Sequence, residues 1–143
     1  MNRQRVAGAI LTVGGLFITL ASLPHAFLGW PALRDGLQQG QASPDTILTA
    51  ASGWLFGSFA MATLGIVALV SASQLRRGHE EARWQAVVVG ASYVLFGAWA
   101  MYYVGGWSPL FFAFMALGAA VGVGAWFHPS SAPRPKGGHD HEG

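Results

Sequence analysis

Two groups of side chains in this sequence have types and spacing that could bind a ligand or move a proton. The first is His25, in the stretch "LPHAFLGW" at residues 23–30, an imidazole directly after a proline within a long apolar run. An ionisable group in such a run is a functional candidate by default, because an unpartnered polar side chain in hydrocarbon is costly. The second is the terminal "HDHEG", where His139 and His141 stand beside Asp140 and Glu142. Imidazole and carboxylate are suitable ligands for zinc, nickel or copper, although without a fixed scaffold such a tail is a weak and promiscuous site.

The chemistry open to His25 is narrowed by what accompanies it. A bis-histidine haem site needs a second imidazole at the same depth, and His79 and His128 fall near the opposite ends of their apolar runs. A proton relay ordinarily places Asp, Glu, Lys or Arg within the spans, and every charged residue here lies outside them. Asp35 or Asp45 could assist His25 in hydrolysis, yet no nucleophile at a recognisable spacing joins them. The chain also has no cysteine, hence neither a disulfide framework nor a thiolate metal site. The sequence therefore points away from an enzyme and identifies no cofactor.

The elements that must position His25 follow from composition. Of 143 residues, 52% are apolar and 10% charged, against roughly 25% charged in a soluble globular domain. A spanning helix needs about 20 mostly apolar residues to cross roughly 30 Å of hydrocarbon. Four segments satisfy this, at about residues 6–28, 47–73, 84–104 and 109–127. The expected fold is all-α: an integral-membrane four-helix bundle over residues 1–128, with residues 129–143 a disordered cytoplasmic tail. The basic start "MNRQR" resembles a signal n-region, but its apolar run is too long for a signal core and lacks a small-x-small cleavage site, so an uncleaved helix is expected.

Orientation follows from basic residues near the helix ends, which are retained on the cytoplasmic side. With both termini cytoplasmic, Arg3, Arg5, Arg76, Arg77, Arg83, Arg134 and Lys136 lie inside and only Arg34 lies outside. Trp30, Trp54, Tyr102, Tyr103 and Trp107 then mark the outer headgroup level, and Trp84 and Trp126 the inner one. In the outer loop, "SPDT" reads as a helix start with Asp45 or Thr46 as N-cap, and "ALRDGLQQ" as a short interfacial helix. "VGGWSP" reads as a tight turn between the last two spans. Gly53 and Gly57, Gly118 and Gly122, and Gly8, Gly14 and Gly15 are the expected positions of close helix approach.

Nineteen residues from Val6 place His25 about 28 Å along the first span, at the outer edge of the hydrocarbon. Pro24 cannot donate to the Leu20 carbonyl, so a kink is expected just before the histidine. Around it, His25, Trp30, Trp54, Trp99, Met101, Tyr102 and Tyr103 form a candidate binding surface whose aromatic walls and single imidazole suit an apolar small molecule or lipid. The competing reading is a metal-handling membrane protein using His25, Met61, Met101, Met115 and the tail histidines His139 and His141, although Met61 and Met115 also suit core gaps.

The order "VGGLFITLASLPHAFLG", a polar loop, "SGWLFGSFAMATLGIVALVSASQLRR" and "AMYYVGGWSPLFFAFMALGAAVGVGAW" resembles a group of small four-helix bacterial membrane proteins of uncharacterised function. The likeness covers about residues 13–126 and rests on a histidine late in the first span, an aromatic and glycine-containing start to the second, and an aromatic-proline turn before the fourth. At the head of the second span this chain has "SGWLFG" where that group has an aromatic-acid pair. The resemblance implies a bundle in a bacterial inner membrane and no particular activity. The expectation is therefore a multi-pass accessory or interaction subunit, or a binder of an apolar ligand near the outer leaflet, with the lipid bilayer and either a protein partner or a second copy as partners, and no nucleic acid.

Overall fold

The computed structural model describes residues 3–127, with side chains from Arg5 onward. The described residues are helical, without strands: α1 (Arg3–Pro24), a π-helical turn (His25–Gly29), α2 (Trp30–Gln39), α3 (Pro44–Arg76), α4 (Ala82–Tyr103) and α5 (Pro109–Trp126). Among them, four helical stretches are long and apolar enough to cross a membrane: Arg5–Gln39, Pro44–Arg76, Ala82–Tyr103 and Pro109–Trp126. The expected tail, with His139 and His141, and also His128, lies outside the described residues.

The helix ends show local chemistry at work. Expected to end near residue 28, the first helical stretch instead runs through the π turn directly into α2, so the segment expected as a separate short helix is continuous with α1. The second stretch starts at Pro44 rather than near residue 47, and its N-cap is Ser43, not Asp45 or Thr46. Ser43 Oγ accepts from the Thr46 amide at 3.2 Å, while Pro44 occupies the first turn, where its missing N–H is no loss. Between α4 and α5, Gly105 takes φ +71°, a left-handed angle that a residue with a Cβ would resist, and this lets the chain reverse within five residues.

Large apolar side chains lie on the outside and small residues inside. Phe17, Phe56, Phe59, Leu95 and Trp99 are exposed, whereas Ala68, Ala72, Ala82, Ala86 and Ala125 are buried together with Leu11, Ile18, Val89 and Val121. Ser22, Ser58 and Ser71 are buried too. Such an arrangement is compatible with lipid as the surrounding solvent: apolar burial gains nothing there, so helices associate through close backbone approach and internal polar contacts. Ser22 and Ser58 donate back to the carbonyls of Thr19 and Trp54, and Ser71 donates across to Gln85 Oε1 at 3.2 Å, tying α3 to α4 near their connecting turn.

A close backbone approach joins α4 to α5. A Cβ added at Gly90 would meet the Gly118 carbonyl oxygen at 2.6 Å and the Gly122 amide nitrogen at 2.7 Å. Gly118 and Gly122 thus act as expected, but their counterpart is Gly90, which belongs to no Gly-xxx-Gly pattern. Gly15 and Gly65 do the same service between α1 and α3, against Leu69 and Thr19. Gly53 has open space around it, and Gly57 faces the His25 ring rather than a helix backbone. That second pair therefore does not bring two helices together, because it lies where α3 faces the π turn and a cavity.

Gly90→Leu should force α4 from α5 and lower stability in mild detergent by about 1–3 kcal/mol or more, the usual penalty of overpacking, whereas Gly53→Ala, placed in open space, should be neutral or slightly stabilising. Thermal unfolding followed by circular dichroism measures both.

Candidate functional site

Pro24 sets the local geometry. Having no amide proton, it leaves a carbonyl of the preceding turn without its usual donor. The helix answers by widening to a π turn immediately afterwards, over His25–Gly29, with Pro24 itself still at helical angles (φ −61°, ψ −31°). The expected kink is thus an expansion of the helix that re-aims the side chains following the proline.

Trp54 of α3 grips this turn at two points. Its indole Nε1–H donates to the His25 carbonyl oxygen at 2.7 Å, and its ring stacks on the His25 imidazole with centroids 4.2 Å apart and planes 10° from parallel. One tryptophan therefore satisfies the backbone and fixes the side chain of the same residue. Gly29 makes the contact possible, since a Cβ there would meet Trp54 Cζ2 at 2.5 Å. Gly57 lies one helical turn deeper on α3, where an added Cβ would stand 3.8 Å from His25 Nε2. With the ring so held, neither imidazole nitrogen has a hydrogen-bond partner among the described residues.

His25 and Trp54 form one end of a cavity of about 680 Å³ between α3 and the α4–α5 hairpin. Met61 and Leu64 of α3, Tyr93 and Phe96 of α4, and Phe111 and Phe114 of α5 continue its walls. The Phe96 ring stands edge-on to Phe114 at 5.5 Å and to Phe111 at 6.3 Å, and Tyr93 lies 5.8 Å from Phe114, giving an interlocked aromatic wall. None of the lining residues is Asp, Glu, Lys or Arg. Phe56, Phe96 and Leu110 on the rim are exposed, so the cavity is a cleft opening on the flank of the bundle.

Tyr93 is the polar residue within this wall that lacks a partner. The residue is only 4% exposed, and its hydroxyl is buried with no hydrogen-bond partner among the described residues. A buried hydroxyl in that state costs about 1–3 kcal/mol. The other hydroxyl lining the cleft, on Ser92, is satisfied by the Val88 carbonyl at 2.8 Å.

Of the seven residues expected to form a binding surface, the structure brings His25 and Trp54 together in the cleft. Trp30 lines a separate shallow groove with Arg34, Gln38 and Leu48, formed by α2 and the start of α3. Trp99, Tyr102 and Tyr103 are exposed, the first two in contact with one another at 6.0 Å, and neither they nor Met101 line the cleft. Sequence reasoning missed Tyr93, Phe96, Phe111 and Phe114, and it placed Met61 among core filler or metal ligands rather than in a cleft wall. His79 lies beyond the far end of α3, with Glu81 3.8 Å from its ring. Among the described residues no three His, Cys, Asp or Glu side chains gather into a metal-binding group.

No family model matches this chain, and no curated protein or solved structure matches it either.

Trp54→Phe keeps a ring against His25 but removes the N–H that the carbonyl accepts. The variant should lose about 0.5–1.5 kcal/mol of stability, the usual net contribution of one hydrogen bond, whereas Trp99→Phe, altering an exposed ring, should leave stability within about 0.5 kcal/mol. Parallel thermal melts in one detergent decide the comparison.

Proposed function

We propose that this protein is a multi-pass protein of a bacterial inner membrane, with both termini cytoplasmic, that receives an apolar small molecule in the flank cleft beside His25, as an accessory or binding subunit rather than an enzyme. The observation that carries this reading is the cleft itself: about 680 Å³ of space walled by aromatic rings, free of formal charge and bordered by an imidazole with no hydrogen-bond partner among the described residues. Ligand pockets typically combine an apolar lining with a few placed polar groups, and this one has that make-up.

Its location supports an occupant arriving from the bilayer. Trp54 lies 22 residues, about 33 Å of helix, from Arg76 at the other end of α3. Arg76 reaches back toward the bundle, its Nη1 donating to Thr12 Oγ1 at 2.8 Å. With Arg76, Arg77 and Arg83 on the cytoplasmic side, His25 and the mouth of the cleft fall in the outer half of the membrane. Phe56 and Leu110 at the rim would then face acyl chains, so the ligand need not cross water.

Two measurements test this reading. A reporter active only outside the cytoplasm should work when fused after Gln39 and fail after Gly78; activity after Gly78 would refute the orientation. Native mass spectrometry after extraction in mild detergent should find a bound apolar molecule on the wild type that is lost from Gly57→Trp, a change that fills the cleft beside His25. Equal retention by both proteins would show that the cleft is not the site.

A further inference from the structure

We infer that the occupant of this cleft is a neutral amphiphile with a planar ring carrying a hydrogen-bond-accepting oxygen, of the quinone or aromatic-ketone class, and that His25 holds that oxygen. The inference rests on the cleft reading above and sharpens it from any apolar molecule to one kind.

Charge excludes one set of ligands. With no Asp, Glu, Lys or Arg in the lining, an ionised headgroup drawn into the cleft would exchange water for an environment offering no counter-charge. The occupant is therefore neutral. Shape favours a ring. Trp54 and His25 present stacked flat faces, and Phe96 stands edge-on to Phe111 and Phe114, so the walls offer faces and edges of the kind that pair with an inserted aromatic plane.

Hydrogen bonding separates a ring-borne oxygen from a plain acyl chain. The imidazole is positioned by Trp54 without using either ring nitrogen, and neutral imidazole carries one N–H donor. An acyl chain in the cleft would leave that donor unanswered. The helix register places His25 and Tyr93 at different depths. Ser71 bonds Gln85, and eight residues along each helix from that pair bring α4 to Tyr93 and α3 to Thr63, which is six residues, about 9 Å, short of the Gly57 level of His25. The cleft thus has a polar residue at its mouth and another deeper along its wall, separated by aromatic surface. A ring with an oxygen directed at His25 answers the first while its body and tail occupy the surface between and beyond them.

The test uses the full chain in phosphatidylcholine nanodiscs titrated with decylubiquinone, and in parallel with decylbenzene, which keeps a ring and tail but lacks the oxygen. Binding is read from saturable changes in tryptophan fluorescence and in melting temperature. The wild type should bind decylubiquinone more tightly than decylbenzene. His25→Phe, which keeps a ring against Trp54 but no donor, should weaken decylubiquinone about ten-fold and leave decylbenzene unchanged. His25→Gln, which retains an N–H donor, should recover most of the loss, and circular dichroism establishes that each variant is folded. Equal affinity for the two probes, or decylubiquinone binding unaffected by His25→Phe, would overturn the inference while leaving an apolar cleft. Failure of both probes to bind saturably, with no difference between wild type and Gly57→Trp, would overturn the cleft reading as well.

Discussion

A proline inside a long apolar helix leaves a carbonyl without its helical donor, and this constraint organises the protein around Pro24. Pro24 removes the donor that the Leu20 carbonyl would otherwise accept from, the helix widens into a π turn over His25–Gly29, and in that turn the His25 carbonyl accepts a hydrogen bond from Trp54 Nε1–H on a neighbouring helix. The same indole lies flat on the imidazole, so one tryptophan holds both the backbone and the ring of the residue that follows the proline. Gly29 is the residue that leaves room for it.

Packing elsewhere keeps one side of that event open. α4 and α5 close on each other through Gly90, Gly118 and Gly122, α1 and α3 through Gly15 and Gly65, and the two pairs join where Ser71 meets Gln85. At the other end of α3, Trp54, Met61, Phe96 and Phe111 line open space together with the small residues Gly57 and Ala60. That space is the cleft. Its polar features, an imidazole and a phenol without hydrogen-bond partners among the described residues, are those that tight packing would otherwise have excluded or satisfied.

Much of this was legible before any coordinates. Four apolar runs separated by every charge in the chain announce four long helices, and a proline within the first announces an irregularity at His25. Depth could also be read, since residue count along a helix converts directly to distance. Rotation about the helix axis could not. Trp54, Trp99 and Tyr102 are all aromatic residues near one end of their spans, yet only Trp54 turns inward, and nothing in a run apolar on every face distinguishes them. Ser43 was passed over as N-cap because Asp45 and Thr46 are equally good capping types, and only the start of the helix at Pro44 separates them. Tyr93 did carry a signal: a phenol midway along an apolar span must find a partner or do without, and that question leads to the cleft wall. Gly90, with no glycine four residues away on its own helix, shows why paired-glycine patterns are a poor guide when the partner glycine lies on the opposing helix.

The central claim is that Trp54 clamps the π turn by donating to the His25 carbonyl while stacking on its ring. It is tested most directly by nuclear magnetic resonance of the 15N-labelled indoles in nanodiscs, with Trp54 assigned from the signal lost in Trp54→Phe. The account predicts that the Trp54 indole proton exchanges with deuterium far more slowly than those of exposed Trp84, Trp99 and Trp107, and that the indole ring shows cross-relaxation to the His25 ring protons. Exchange as fast as at the exposed tryptophans, with no cross-relaxation to His25, would contradict it.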